Sequence, residues 1–303
     1  MANWVDLLDP TADEVRKALP ADVRESVFEI LVPTPQHTDE PRATLQGHGH
    51  YVFGVFVVPV AVPDEDRIYY QELDVVATHD TLVTIRKTPP GEKPFAPPEE
   101  HRDAIRKADS SGMMLYRIVD AISEQFLDLV DDLDAEIDEL EDAVEKMRPE
   151  DTRARISGLR HDLLHIRRTL APTRDAIRRV VDDVVDVSEG PEVFTHDAEV
   201  AFSLVYDKLL RAFDGLELSR DLLASVRDYL QAKVANDQNE VVKRLTVIAS
   251  LLLVPTFIVG VYGQNFQHHF PEIHWQYGYA WSWGVIIAAT IGQLLFFWKK
   301  RWL

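Results

Sequence analysis

Two long uncharged apolar runs near the C-terminus constrain what this 303-residue chain can fold into more than any other feature. The first run, Leu245 to Tyr262, has 18 residues, and the second, Tyr279 to Trp298, has 20. At 1.5 Å per helical residue each run is about 27–30 Å long, which matches the hydrocarbon core of a bilayer. The sequence therefore predicts two adjacent transmembrane helices, over about 245–262 and 279–298. The alternative is a pair of core helices buried in a soluble domain.

The flanks of the second run favour the membrane. Aromatic residues gather at one end, as expected at a membrane–water interface, and bases at the other. The aromatic residues are Trp275, Tyr277, Tyr279, Trp281 and Trp283, and the bases are Lys299, Lys300 and Arg301 in the tail 299–303. Lys243 and Arg244 precede the first run. Because bases collect on the cytoplasmic side, we expect both termini in the cytoplasm, an outward loop over 267–278, and residence in the cell (inner) membrane.

The charge of the chain is distributed unevenly. The formal net charge is −19, while residues 236–303 hold three acids and five bases, so the other 235 residues carry −21. Such a balance argues against nucleic acid as a partner, because phosphates need a basic surface. It suits a vestibule that concentrates cations, although an ordinary soluble acidic surface would have the same composition. No catalytic constellation or Gly-rich phosphate loop occurs, so neither an enzyme nor an organic cofactor is predicted.

The N-terminal region, 1–95, reads as an α/β domain. We predict a short helix over 1–20 with Thr11 and Glu14 as a capping box, because this spacing is typical of a helix start. Strands are expected over Val27–Val32, Tyr51–Val62, Ile68–Val76 and Thr81–Arg86, with Pro59 limiting the second of these to an edge or a break. His48 and His50 could bind a metal together, but a solvent-facing strand entry is the preferred explanation.

The next region, 96–190, reads as an antiparallel helical hairpin with a turn at Pro149. Apolar residues repeat at helical spacing on both arms, which predicts a packed seam. The apolar residues are Leu133, Ile137, Leu140, Val144 and Met147 on the first arm, and Ile156, Leu159, Leu163, Ile166 and Leu170 on the second. Residues 128–145 carry ten acids and no base, and the second arm is rich in arginine. The arginines are expected to neutralise the acids, and divalent cations could screen the remainder; the alternative is a solvated charged coiled coil.

Residues 191–266 are predicted to form one long helix that runs into the first span and measures roughly 100 Å. Residues at three-to-four spacing share one face of this helix, and they would line a pore if several copies surrounded an axis. This pore face consists of Asn239, Val242, Leu245, Ala249, Leu253, Thr256 and Gly260. Val242, Leu245 and Leu253 would form a constriction that closes by dewetting. Thr256 and Asn239 would add polar rings; the alternative for Thr256 is a hydrogen bond to its own helix.

At the end of this helix the sequence resembles the CorA family of divalent-cation channels. The residues that carry the likeness are YGQNF at 262–266, FPEI at 270–273, WQYGY at 275–279 and the basic KKRWL end. Gly263, Gln264 and Asn265 stand where the family has Gly-Met-Asn, so Gln264 departs from the pattern. The resemblance implies an α+β cytoplasmic domain with long helices in a funnel and a C-terminal membrane hairpin. It also implies a homopentamer, transport of Mg²⁺ with Co²⁺ and Ni²⁺ as further ions, and gating by cytoplasmic Mg²⁺.

Within this resemblance the selectivity residue would be Asn265. Because Mg²⁺ gives up its water reluctantly, a ring of neutral amide oxygens would hold the hydrated ion by outer-sphere hydrogen bonds. Gly263 would permit the tight backbone that ends the helix. Glu272 would attract hydrated cations to the mouth, and the basic ring Lys299, Lys300 and Arg301 would resist leak in the closed state.

Two alternatives remain open. Gln264 and the loop histidines His268, His269 and His274 are compatible with a zinc transporter of the same superfamily, since imidazole suits Zn²⁺, Co²⁺ and Ni²⁺. A membrane-anchored coiled-coil scaffold that transports nothing would explain the helices without a pore. The physiological ion and the carboxylates that sense it are not determined by the sequence.

Overall fold

β-Branched and aromatic residues between positions 3 and 87 form a five-stranded sheet. The computed structural model describes residues 2–33, 42–62, 67–94, 99–108, 110–185, 187–264 and 275–302. The strands are β1 Asn3–Leu8, β2 Thr44–His48, β3 Tyr51–Val62, β4 Arg67–Ala77 and β5 Thr81–Lys87, in the order β1-β5-β4-β3-β2. β1 pairs with β5 in parallel, and the other pairs are antiparallel.

Strand β3 shows why a proline is tolerated in the middle of the sheet. β2 pairs with β3 only from Tyr51 to Val55, whereas β4 pairs with it from Val52 to Val62. Pro59 therefore lies where β4 is the only strand beside β3 among the described residues, and its missing N–H interrupts no second ladder. The expectation of an edge position at Pro59 is confirmed locally.

Two of the predicted elements in this region are wrong. Residues 3–8 form β1 instead of the start of a helix, and only α1, Ala12–Ala18, follows the predicted capping box of Thr11 and Glu14. The parallel pairing with β5 stabilises β1, and that partner is about 78 residues away, so no local pattern indicates it. Val27–Val32 was expected to be a strand but lies largely in α2, Glu25–Leu31. Val27 and Leu31 are its buried residues, and their spacing of four is helical.

The sheet is covered on both faces. Helices α1 and α2 pack Val15, Val27 and Leu31 against side chains of β3, β4 and β5. On the other face lie α3, Glu99–Arg106, and the long α4, Ser111–Ala143, which contacts β1, β3, β4 and β5. The sheet is thus the middle layer of an α/β/α arrangement.

The predicted helical hairpin is present. After α4, a short turn leads into α5, Pro149–Val181, which continues through Pro172 without interruption. The predicted apolar residues of both arms are buried, apart from Met147, which lies in the turn and is half-buried. Periodicity alone was sufficient here because each arm buries one stripe along its whole length.

Two further helices complete the chain. α6, His196–Tyr262, has 67 residues, and α7, Gly278–Lys299, has 22. Both are long and apolar enough to cross a membrane, and their apolar windows are almost entirely unburied, in contrast to core helices of a soluble domain. The chain divides into two compact units, 1–227 and 228–303. The finer division at 95/96 and 190/191 falls inside the first unit and stays a prediction.

Candidate ion pathway

Gly263 and Gln264, two of the three predicted selectivity residues, follow the end of α6. The helix ends at Tyr262, and the N–H of Gly263 donates to the Val259 carbonyl oxygen at 2.9 Å. Asn265, Glu272, His268, His269 and His274 lie outside the described residues. Gly263 does not adopt a left-handed φ, so it is not the αL cap that often ends a helix. A Cβ at this position would lie 3.2 Å from the Val259 oxygen, so the glycine permits a close backbone approach instead.

All seven residues of the pore face are exposed in the single chain. Another set of residues on the same span is less exposed, and we call it the packing face: Val247, Ser250, Leu251, Val254 and Ile258. With 3.6 residues per turn, the centres of the two faces are roughly 150° apart around the helix. The side of α6 that carries the pore face is therefore left uncovered within the single chain.

Threonines in the spans satisfy their own donors. The Thr256 hydroxyl donates to the Leu252 carbonyl at 2.7 Å, and Thr246 and Thr290 make the same bond one turn back to Val242 and Ile286. A hydroxyl has one proton and two lone pairs, so donating to the backbone leaves the oxygen able to accept. The self-bonded alternative considered for Thr256 is thus observed, and it leaves an exposed acceptor on the pore face.

A contact between the two spans was missed by the sequence analysis. Nε2 of Gln293 on α7 donates to the Ser250 carbonyl oxygen on α6 at 2.9 Å. Gln293 is the only amide side chain in the second apolar run. Polar residues inside a span usually have a specific partner, so its isolation was the available signal. The sequence could not indicate the partner, because a backbone carbonyl is present at every position.

The basic tail forms a defined C-cap on α7. The N–H of Trp302 donates to Phe297 and that of Arg301 to Trp298, both at 3.0 Å, and Arg301 has a φ of 54°. These bonds form a Schellman motif, with the Trp302 and Phe297 rings stacked 5.9 Å apart as its apolar contact. Lys299, Lys300 and Arg301 are all exposed, and their charges complement the negative end of the helix dipole.

The arginines of α5 pair with acids of more than one helix. Arg155 pairs with Glu136 at 2.5 Å, whereas Arg167 pairs with Glu217 of α6 at 3.2 Å. Most acids of 128–145 are exposed to solvent. Across the described ranges, no group of three or more His, Asp or Glu side chains is arranged to hold a metal. Within the described part of a single chain, these acids therefore do not form a metal site that could sense the cation.

Two lysines of the first unit each contact two carboxyl groups. Lys208 of α6 bonds Asp120 and Glu124 of α4 at 2.6 and 2.9 Å. Burial lowers the pKa of Lys208, but the hydrogen bonds and charges of the two carboxylates outweigh this, so the pKa is raised overall.

The second lysine, Lys87, belongs to an acid–lysine cluster with Glu72 and Asp74 in the sheet. Its Nζ lies 2.6 Å from a carboxylate oxygen of each acid and donates to the Ile30 carbonyl at 2.7 Å. Asp74 is fully buried, and its Oδ1 has no hydrogen-bond partner among the described residues. Burial first, and then the charge of Glu72, raise the pKa of Asp74 to about 8 despite the nearby ammonium group.

His48 and His50 do not form a metal site in the described structure. They flank Gly49, whose φ of 48° makes the turn between β2 and β3. His50 Nδ1 lies 2.8 Å from the Glu189 carbonyl and its Nε2 lies 3.2 Å from the Glu189 carboxylate. The His48 ring packs 5.4 Å from Tyr51. Burial, and next Arg24, lower the pKa of His48. The solvent-facing strand entry is the better description of both residues.

The chain combines a charged domain of α and β structure with two apolar helices, and the exposed pore face of α6 carries neutral polar groups. These features are those of a membrane transport protein rather than an enzyme. Comparison with known proteins specifies which kind. The family model described as "CorA-like Mg2+ transporter protein" matches residues 2–301. The chain belongs to this family of divalent-cation transporters, whose members are channels and transporters and whose transported ion is Mg²⁺.

Individual relatives agree with the family assignment. The chain is 30% identical to a putative metal ion transporter, YfjQ, of Bacillus subtilis, over 99% of this chain and 89% of that protein. It is 32% identical to the cobalt/magnesium transport protein CorA of Thermotoga maritima, over 67% of this chain and 56% of that one. The solved structure of the CorA magnesium transporter of Methanocaldococcus jannaschii matches with a TM-score of 0.77 at 19% identity, covering 99% and 91% of the two chains. This last similarity confirms the predicted fold class.

Proposed function

We propose that this protein is a homopentameric Mg²⁺ channel of the cell (inner) membrane, with both termini in the cytoplasm. The observation that carries the proposal is the exposed pore face of α6, which is opposite the packing face. Two spans cannot enclose an ion path alone, so several copies of α6 must surround an axis. The similar proteins, a metal ion transporter and two CorA proteins, support the choice of a divalent cation.

The path would handle the ion without removing all of its water. The pore face holds no charged residue, so neutral oxygens must stabilise the cation. Asn265 at the outer end would accept hydrogen bonds from the ion's water, and the Thr256 oxygen would do the same deeper in the span. Leu245 and Leu253, which are 64% and 69% exposed in the single chain, would form apolar rings that close the path by dewetting.

Cytoplasmic Mg²⁺ would act as the regulator as well as the cargo. The first 235 residues carry −21, and the exposed acids of α4 repel one another, so bound cations would favour a compact arrangement of subunits. Low internal Mg²⁺ would then favour opening. Because α6 is continuous from residue 196 to 262, a change in the soluble domain would reach the span directly.

A zinc transporter of the same superfamily is the second candidate. Gln264 in place of the family's Met and the three loop histidines motivate it. Imidazoles near the mouth would favour Zn²⁺, Co²⁺ or Ni²⁺ over Mg²⁺, which prefers oxygen ligands.

Flux through the purified protein in liposomes tests both candidates. We expect uptake of Mg²⁺, with Co²⁺ and Ni²⁺ competing, and light scattering should give the mass of five copies. Asn265→Ala should abolish uptake, while Asn236→Ala, which removes an exposed amide elsewhere on α6, should not. Faster Zn²⁺ than Mg²⁺ uptake would select the zinc candidate. Liposomes that pass no divalent cation would instead favour a scaffold.

A further inference from the structure

The side chain of Gln293 is a polar group placed between two apolar helices. Nε2 bonds the Ser250 carbonyl, whereas Oε1 is buried without a hydrogen-bond partner in the described part of the chain. An amide group in an apolar medium costs free energy when one of its atoms is left unbonded. A leucine or methionine of similar size would fill the same space without that cost. Packing alone therefore does not explain the amide.

The acceptor of this bond lies in an unusual turn of α6. Pro255 has no N–H, so the carbonyl of Leu251 lacks its donor from the helix ladder. The carbonyls on either side both receive side-chain donors: Gln293 bonds Ser250, and Thr256 bonds Leu252. Side chains thus reinforce the turn in which the backbone ladder is broken.

This turn also carries part of the pore face. Ala249, Leu253 and Thr256 are within one turn of Ser250 or Pro255, and all three are exposed in the single chain. A bend at the proline would move Leu253 and Thr256 relative to the inner half of the span. The Gln293 bond is a hydrogen bond from α7 that restrains this turn.

We propose that Gln293 is a positioning residue that fastens α7 to the proline turn of α6. It fixes where Leu253 and Thr256 stand in the ion path and lets α7 follow the bending of α6 during gating. The inference rests on the proposed channel function. A hydrogen bond between membrane helices is modest, so we expect its loss to change the gating equilibrium by about threefold.

Two readouts on the full-length protein in liposomes test this role. The first is the ratio of Mg²⁺ flux at low and high internal Mg²⁺. The second is the distance between spin labels on Ile248→Cys and Leu295→Cys, which replace exposed residues in a chain that has no native cysteine. Labelled subunits are diluted into unlabelled ones so that one pair is measured per oligomer. Gln293→Met removes the donor at similar volume. Thr290→Val, which removes a hydroxyl that donates to Ile286 within α7, is the matched control.

We expect Gln293→Met to lower the flux ratio about threefold and to broaden the distance distribution, while Thr290→Val resembles the native protein. A Gln293→Met protein with the native ratio would overturn the proposal, whether or not the distances broaden, because the amide would then be structural only. Gln293→Asn, which keeps an amide but is one methylene shorter, gives the same test if the Met variant does not assemble. If the native protein passes no ion, the channel proposal fails. Unchanged label distances in Gln293→Met would separately contradict the proposal that Gln293 fastens α7 to α6.

Discussion

The two units of the molecule bury polar groups by different means. In the first unit, polar groups pair with other side chains: Lys87 is buried between Glu72 and the carboxyl group of Asp74, and the part-buried Lys208 bonds Asp120 and Glu124. In the membrane spans, Thr290 and Gln293 are part-buried and neutral, and each donates to a backbone carbonyl oxygen. The difference follows from the surroundings, because a charge without a partner costs far more in lipid than in a domain that borders water.

The comparison also separates two kinds of dependence. A charged cluster needs all of its members, since removing one leaves another charge buried alone. A side chain that bonds a backbone carbonyl can be removed at the cost of one modest bond. The predictions below test this contrast, in order of decreasing expected effect.

The largest effect is expected from Lys87→Met. The substitution leaves the Glu72 carboxylate buried without its cation and the Asp74 carboxyl group without the same neighbour, so we expect a loss of about 3–5 kcal/mol in the free energy of unfolding of the first unit. Denaturant unfolding of the full-length protein in detergent, followed by near-ultraviolet circular dichroism, measures it. Lys146→Met on the exposed turn after α4 is the control and should change little. A loss for Lys87→Met below that of the control would contradict the charged-cluster description.

A smaller effect is expected from Lys208→Met. Lys208 is only partly buried, with 22% of its side chain exposed, so part of the loss is compensated by water. We expect about 1–2 kcal/mol of destabilisation, because two charge-assisted hydrogen bonds between α4 and α6 are lost. The same unfolding experiment measures the destabilisation. A loss as large as that of Lys87→Met would contradict the prediction.

The third prediction concerns pH. The pKa of Asp74 is raised from 3.8 to about 8 in the folded protein by burial and by Glu72. Between these two values the folded protein holds a proton that the unfolded chain has released, so stability falls as pH rises from about 4 to about 8. Asp74→Asn imitates the protonated form and should flatten this slope. Melting temperatures between pH 5 and pH 8.5 measure it, and equal slopes for both proteins would show that Asp74 is ionised throughout.

The smallest effect is expected from Thr256→Val in the proposed pore. The valine keeps the shape but removes an exposed oxygen, so we expect Mg²⁺ flux to fall about fivefold, the equivalent of one hydrogen bond, with unchanged thermal stability. Thr290→Val removes the same kind of bond from α7 and should leave the flux unchanged. Equal flux in the two variants would place Thr256 away from the ion path.

The parts of the fold that the sequence predicted are those with local causes. The two spans follow from 18 and 20 uncharged residues, and the α4 and α5 seams from apolar spacing. Strand β3 was evident from its β-branched and aromatic run. These features need no knowledge of a distant partner.

The parts that were missed depend on distant partners. β1 exists because β5 pairs with it, and the buried Lys87 cluster exists because the β4–β5 register sets Glu72 opposite Lys87. In the candidate site, the pore face was predicted from the spacing of residues along α6. The position of the packing face could not be predicted in this way, because it depends on α7. The role of Asn265 comes from the family resemblance and remains a prediction.

The bond from Gln293 has an unusual genetic signature. Its acceptor belongs to the main chain at residue 250, so any amino acid can occupy that position without abolishing the contact. Only one of the two partners is specified by a codon. Covariation between positions in related sequences would therefore not reveal this hydrogen bond between the spans. An alanine scan of α6 would not detect it either, because alanine keeps the backbone carbonyl.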